Sequence, residues 1–546
     1  MSPPLRTGSA PQIAVAAPNR YAADAASRMG AEGGNAVDAA LAGALMVCVT
    51  EPGIVSLAGG AFVTVDPGDG RDPVTVDGYV EMPGRGLPPE AFGRGTRELY
   101  TEYGGGTHMT VGHGSAATPG VLPALEEAHR RFGSLPWSVV VQPAIEVARD
   151  GFALGTAADY YLGYTRDSLF GHDAATRAAL HHHDGTPVRR GELLRIPDLA
   201  DFLTRVAREG SAALTRGEVA RALAEDMSAH GGLITPADLA GYAPVVRRAT
   251  QVELATRDGA RWRIATNPPP AIGGPVLAAM LLLLADPEAD ELDRAVGAVG
   301  AVRADIADLV RVFRAVLAHR AVELDVAADR AAAGQALLDG VLAGGQAWLG
   351  VAPSTAHVST VDTAGAACAV TASCGYGSGI TIPGTGVWLN NCLGEHELNR
   401  TGLHTLAPGV RLASNMAPTV GRRSDGTTIA VGSPGADRIT TALAQVLTAV
   451  AGGGLDWPEA IARPRVHVSR TAEGAERLEY ESDLDADLAV LEASGALPSA
   501  SELPRRAHHP SSMYFGGVSV AVREPDGALS AAADPRRDGA TAVSPP

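Results

Sequence analysis

The sequence predicts a mixed α and β protein of the α+β class, folded as one unit. Apolar residues recur at helical three-to-four spacing before residue ~350, and short alternating runs joined by turns dominate after it. No Ser/Gly-rich linker separates these stretches, so the change of character near residue 350 is not a domain boundary. With 546 residues, 46 % apolar and 19 % charged, and a mean hydropathy of +0.06, the chain can bury a large core.

Taken in order, Gly33-Gly34-Asn35 leads into an Ala-rich helix over Ala36 to Val49, with Asp38 in its first turn and Pro52-Gly53 as its stop. Ala61 to Val65 and Val74 to Val76 carry the β-branched content of short strands. Helices are expected to dominate from Pro119 to about Leu203. The run His181-His182-His183 precedes Asp184-Gly185, and consecutive histidines point different ways on any regular backbone, so a solvated loop is expected there and not a metal site. Thr235-Pro236 opens another helix, with Thr235 as N-cap and Pro236 at the first helical position. Asn267-Pro268-Pro269-Pro270 and Gly273-Gly274 break the chain before the apolar run Pro275 to Ala285, which is too short to span a bilayer and is expected as a buried helix. A helical, charge-laced stretch follows from Asp290 to about Leu349. Then come three hairpin turns, at Asp362-Thr363-Ala364-Gly365, Asp425-Gly426 and Asp526-Gly527.

The formal charge of −17 argues against nucleic acid or an anionic membrane surface as a main partner. All 44 basic residues are Arg, which together with 65 Gly and 37 Pro reads as codon bias without functional meaning. Cys48, Cys368, Cys374 and Cys392 form no CxxC pair and are too few to staple a chain of this size, so a reducing compartment is expected. The first residues show no basic stretch followed by an apolar signal core, and the expected location is the cytoplasm. There is no Walker loop, zinc spacing or GxGxxG between a strand and a helix, so neither a metal nor a nucleotide cofactor is expected.

The run Pro353-Ser354-Thr355-Ala356-His357-Val358-Ser359 stands where the sequence changes character. A Thr opening a hairpin is ordinarily a strand former or a cap. The wider pattern gives it another meaning. GGNAVDAALAGAL (Gly33 to Leu45), Glu51-Pro52, Gly59-Gly60, Thr118-Pro119-Gly120 and Phe132-Gly133-Ser134-Leu135-Pro136-Trp137 resemble the γ-glutamyltransferases. So do Gln142-Pro143-Ala144-Ile145, Thr355-Ala356-His357, Pro383-Gly384-Thr385-Gly386, Asn390-Asn391, Met416-Ala417-Pro418, Gly432-Ser433-Pro434-Gly435 and Asp534-Pro535-Arg536-Arg537-Asp538-Gly539. That family comprises the autoprocessed threonine members of the N-terminal-nucleophile hydrolases.

The resemblance implies a four-layer αββα sandwich and a precursor that cuts itself between Ser354 and Thr355. The products, 1–354 (large, α-rich) and 355–546 (small, β-rich), would stay entwined as one folding unit. It also implies that Thr355 is the nucleophile, assisted by Ser373, and that backbone N–H groups of Gly435 and Ala436 hold the oxyanion. An N-terminal Thr supplies its own base, because its freed amine has a pKa near 7.7 to 8.0. Asn390 and Asn391 are expected to hold their turn through side-chain hydrogen bonds.

Departures from the family pattern gather in the clamp for the donor's α-amino and α-carboxylate groups. Val80 stands where the resemblance expects a carboxylate-binding Arg; neighbouring Arg85 could reach back to take its place, but reads more simply as a surface charge. The loop Cys374-Gly375-Tyr376 is short and lacks the usual Asn; Cys392 replaces an amide or acid, while Glu395 keeps a carboxylate. The family's Ser-Ser pair is Ser414-Asn415, still able to hydrogen-bond a carboxylate, and Ala436 replaces a Gly. The expectation is an enzyme that transfers or hydrolyses an acyl group from an altered, non-glutathione donor in specialised metabolism, with a small-molecule donor and an amine or water as acceptor. Other readings are carbon–carbon cleavage beside a carbonyl, as in family members of alkylproline antibiotic pathways, ordinary glutathione hydrolysis, and a non-catalytic binding protein.

Overall fold

A computed structural model describes residues 11–102, 106–256, 258–285, 306–344, 355–470 and 474–545. Two antiparallel sheets form its centre. The first runs, in spatial order, Ala540–Val543, Ile13–Ala17, Ala356–Asp362, Ala367–Ser373, Gly60–Asp66, Val74–Gly78 and Val245–Arg248. The second runs Leu529–Ala533, Ser519–Arg523, Thr428–Gly432, Thr419–Arg423, Arg261–Thr266 and Thr250–Ala255. Both sheets draw strands from before and after residue 355, which is why no linker marks the change of character in the sequence.

Each sheet buries its outer face under helices. Ala36–Thr50, buried along its whole length, and Arg20–Ala31 cover the first sheet, whose outward residues Val358, Val370 and Val63 join Leu41, Leu45 and Met29 in one apolar cluster. Gly273–Leu284, Ile306–His319 and Arg438–Ala451 cover the second, around Ile429, Val431, Phe313 and Leu443. Between the sheets lies a thin layer made mostly of alanine: Ala14, Ala249, Ala265, Ala367, Ala369, Ala430 and Ala521. Small side chains let the sheets approach closely, so most hydrophobic stabilisation comes from the two outer clusters. This is the four-layer αββα sandwich.

The capping box at Asn35 and Asp38 ties the first helix layer to the central strand. Asn35 Oδ1 accepts from the Asp38 N–H, and the Asp38 carboxylate accepts from the Asn35 N–H and from Ser134. At the same helix end, Asp362, the last residue of strand Ala356–Asp362, accepts from the Ala36 N–H at 3.0 Å. Thr235 and Asp238 form the second capping box where Thr235-Pro236 predicts a helix. The apolar run is the buried helix Gly273–Leu284, and the three hairpin turns fall between paired strands. His181-His182-His183 lies in a loop, with His182 Nε2 3.1 Å from Glu192.

The portion before 355 is less purely helical than the sequence suggests. Ile13–Ala17 pairs with strand Ala356–Asp362, and Val245–Thr266 supplies three strands. IAVAA is buried on both faces and so shows no alternation, while VVRR sits at a sheet edge. The charge-laced stretch forms helices Ile306–His319 and Arg330–Gly344, joined through a turn of π-helix at Arg320–Leu324; its parts 290–305 and 345–349 lie outside the described residues. Among the described residues, no helix is long and apolar enough to cross a membrane.

Candidate active site

Thr355 is 1 % exposed and immediately precedes strand Ala356–Asp362; Ser354, the other side of the expected cut, lies outside the described residues. The register Ala356↔Ala372 places Thr355 opposite Ser373, and Ser373 in turn pairs with Gly60. Side chains alternate along a strand, so Thr355 shares the inter-sheet face with His357, Ser359 and Val361. Ser373 shares it with Thr371 and Ala369. Both hydroxyls therefore project from the first sheet toward the second.

His357 fixes which part of the second sheet they meet. A Cβ on Gly432 would lie 2.2 to 2.5 Å from the His357 ring, so the imidazole rests on bare backbone at the end of strand Thr428–Gly432. Ser359 Oγ donates to Ser519 O, which leaves it to accept from His357 Nε2 at 2.8 Å; Nδ1 then accepts from Thr371 Oγ1 at 2.7 Å. Burial pushes this imidazole down to about 3. It is a neutral spacer between the sheets.

The turn Ser433-Pro434-Gly435-Ala436 follows Gly432 directly. Gly435 has φ +124°, and a Cβ there would lie 2.6 Å from Gly516 Cα. Ala436 has φ +65°, the left-handed region that costs a non-glycine residue about 1 kcal/mol or more. The Ser433 hydroxyl braces the turn, donating to Pro434 O at 2.6 Å and accepting from Gly517 N–H at 3.1 Å. Among the described residues, the N–H groups of Gly435 and Ala436 donate to no acceptor. Two free N–H groups at one turn are what an oxyanion requires. Just beyond, burial opposes ionisation of Asp437, but Arg438 and His467 overcome it and hold the carboxyl below its usual range.

On the other side of Ser373 lie the expected clamp residues. Glu395 is 1 % exposed; burial, together with the charge of Glu397, raises its carboxyl well above the usual range, and Oε1 has no partner among the described residues. Cys392 faces Glu395, and the Tyr79 hydroxyl faces both Cys392 and Ser414. Burial raises the Cys392 thiol and the Tyr79 phenol. Asn415 is buried with both polar atoms of its amide unpartnered among the described residues. Val80 packs fully buried with Phe62, Tyr79, Cys392, Leu412 and Met416. Gly375, at φ +64°, has no room for a side chain: a Cβ would lie 2.4 Å from Asn391 Oδ1 and 3.0 Å from the Glu395 carboxyl. Asn390 and Asn391 bond backbone groups of Ala58, Ala117, Tyr376 and Thr110.

Neither Arg near Val80 is free to play the part that the resemblance expects of an Arg there. Arg85 is not a surface charge: it is 30 % exposed and pairs with Glu81 at 2.9 Å and Asp238 at 3.4 Å. Arg411 also lies near Val80, but donates to the carbonyls of Tyr79 and Ala243 and sits 4.4 Å over the Tyr242 ring. Tyr79 is the clamp-side residue that sequence reading missed; its stacking on Phe62 at 5.7 Å places it, and nothing local in GYVEM announces that contact.

Among the described residues, two cavities of about 470 Å³ or more lie away from the Thr355 row. One, of about 550 Å³, is bordered by His113, Asp226 and His230, a group able to offer three ligand atoms to a metal. His113 Nε2 and His230 Nδ1 both contact the Asp226 carboxylate, at 3.0 and 3.1 Å, and the rings stack at 4.5 Å. Rings stacked at 19° aim their lone pairs side by side, which suits a carboxylate-bridged pair better than convergence on one ion. The other cavity, of about 470 Å³, adjoins Arg438 and Tyr514.

Comparison with known proteins fits this geometry. The family signature described as Gamma-glutamyltranspeptidase matches residues 22–544. A glutathione hydrolase proenzyme of Escherichia coli (strain K12) is 29 % identical over 536 residues, covering 92 % of this chain and 87 % of that protein. An acylase ACY 1 proenzyme of Pseudomonas sp. (strain SE83) is 30 % identical, covering 93 % and 89 %. The crystal structure of cephalosporin acylase from Bacillus halodurans superposes with a TM-score of 0.73 at 22 % identity, covering 99 % of this chain and 97 % of that one, a likeness of fold. The chain belongs to the gamma-glutamyltranspeptidase family and is an enzyme of its acyl-transfer and hydrolysis type.

Proposed function

We propose that the enzyme matures by cutting its own chain before Thr355, leaving 1–354 and 355–546 as two intertwined subunits, and that Thr355 then acts on an acyl donor lacking an α-carboxylate. Attack by the Thr355 hydroxyl on the donor carbonyl gives an oxyanion held by the N–H groups of Gly435 and Ala436. The freed α-amine of Thr355 takes the hydroxyl proton and returns it to the leaving group. Water or an amine then resolves the acyl ester, and Ser373, opposite Thr355 in the register, supports the nucleophile through its hydroxyl.

The observation that carries the donor reading is Val80, buried among apolar neighbours with Arg85 and Arg411 both engaged elsewhere. A charged hydrogen bond lost from a recognition site costs about 1.5 to 3 kcal/mol, or roughly ten- to a hundredfold in specificity. Glu395 and the open amide of Asn415 remain to receive an amine or a neutral polar group. Ordinary γ-glutamyl hydrolysis is the second reading, favoured by the retained Glu395 carboxyl.

The denatured mass of the purified protein beside Thr355→Ala tests maturation: fragments beginning at Met1 and Thr355 are expected from the wild type, and a whole chain from the variant. An uncut wild type with no acylase activity would sink the nucleophile assignment. For the donor, 4-aminobutanoyl anilide keeps the amine and drops the carboxylate of γ-glutamyl anilide. It is expected to be at least tenfold better in kcat/KM, and a preference for the γ-glutamyl compound would move the second reading to the front.

A further inference from the structure

The cavity of about 470 Å³ beyond the Gly435–Ala436 turn is walled by Arg438, Arg506, Arg537, His508, His509 and Tyr514, with no Asp or Glu in its lining. In a chain of net charge −17 such a wall is unusual, and the surrounding carboxylates do not account for it. Glu479 is the register partner of Arg506, yet its oxygens are taken by His508 Nε2 at 2.8 Å, Arg477 at 2.7 Å and Ser469 at 2.9 Å. Glu481 and Asp534 are held by Arg536 and Arg465. Asp437 engages Arg438 and His467. Among the described residues, the guanidinium groups of Arg506 and Arg537 form neither a side-chain hydrogen bond nor an ion pair, and Arg537 Nε is buried without a partner. The carboxyl that Arg537 does influence, Glu51, is pushed by burial up to about 7 and makes no ion pair with it.

We propose that this cavity binds a small polyanion bearing at least two carboxylate or phosphate groups. Two unpaired guanidinium forks match the bidentate geometry of those groups, and a concave site without acids concentrates the field that attracts them. The volume is that of a metabolite-sized ligand rather than a single inorganic ion. Tyr514 presents no open ring face to it: His508 stacks on the ring at 4.2 Å, and the Arg438 guanidinium lies 4.4 Å from its centroid. Recognition thus falls to charge and hydrogen bonding, not to aromatic stacking. The site stands apart from the donor clamp and is independent of the donor reading.

Calorimetric titration of the purified protein with pyrophosphate, and separately with citrate, at ionic strength held constant with sodium chloride, tests this. Saturable one-site binding is expected for at least one anion, with pyrophosphate preferred if the ligand is a phosphate and citrate if it is a carboxylate. Arg506→Gln and Arg537→Gln should each weaken that binding about tenfold, with Arg506→Lys recovering part of the loss. Arg506 is half-buried on an edge strand, Arg505–His508, with no side-chain hydrogen bond or ion pair among the described residues, so Arg506→Gln should keep the wild-type unfolding midpoint even if Arg537→Gln does not. Absence of saturable heat with both anions would overturn the proposal, as would undiminished affinity in Arg506→Gln.

Discussion

The two sides of the Thr355 row differ in what their backbone leaves open. On the Gly435–Ala436 side the open groups are N–H donors of a turn braced by Ser433 and Gly516. On the Val80–Asn415 side they are side chains: the Asn415 amide and Glu395 Oε1, set in an apolar wall. Backbone donors depend on turn geometry: an Ala at 436 keeps its N–H in place, whereas Gly435 leaves no room for a Cβ. Side-chain recognition is rewritten by single substitutions, and the departures that the sequence resemblance implies fall almost wholly there. An enzyme can change its donor in this way without rebuilding its chemistry.

The largest effect expected is on the turn. Gly435→Ala would put a Cβ 2.6 Å from Gly516 Cα, a contact with backbone that no side-chain rotation relieves. Losing one oxyanion donor costs about 10²- to 10³-fold, so kcat should fall at least ~100-fold with little change in KM. Retention of kcat within fivefold would erase the distinction between the two sides.

The next effect separates two buried carboxyls, each with an oxygen lacking a partner among the described residues. Burial raises Glu51 from the ordinary range to about 7, although Asn19 Nδ2 donates to it at 2.6 Å. A carboxyl raised in the folded state costs nothing at pH 4, where both states hold the proton, and the cost grows as pH climbs to about 7. Glu51→Gln should therefore stabilise the protein by up to about 3 kcal/mol at pH 8 and scarcely at pH 4, read from denaturant midpoints. It should leave kcat/KM unchanged. Glu395→Gln should gain stability in the same direction with rising pH, yet lower kcat/KM tenfold or more for amine-bearing donors. Equal activity losses in the two variants would mean that Glu395 has no special part in binding.

Legibility followed the range of the interaction. Caps and turns are local, so Asn35, Thr235 and the Asp-Gly hairpins stand out in the sequence. Pairing Ile13–Ala17 with Ala356–Asp362 spans more than 300 residues, and IAVAA carries no period to betray it. The row Thr355–Ser373–Gly60 follows from register, which the family resemblance anticipates in part for Ser373 but spacing alone does not. Arg85 reads as a surface charge in sequence because Asp238, which with Glu81 holds it half-buried, lies far along the chain. The basic cavity was invisible for the same reason: Arg438, Arg506 and Arg537 converge only in the fold.

The smallest effect tests whether the turn contributes to donor choice at all. Ala436→Gly relieves the left-handed backbone at φ +65° but frees the unfolded chain, and these opposing terms should leave net stability within about 1 kcal/mol of wild type. The N–H stays in place, so kcat on the best donor should change less than threefold. What the substitution removes is a single buried methyl beside the two free donors. If the ratio of 4-aminobutanoyl to γ-glutamyl turnover is unmoved, specificity resides on the Val80–Asn415 side. A tenfold shift toward the γ-glutamyl donor would show instead that the Ala436 methyl excludes it, and the turn would then be a site of recognition as well as of catalysis.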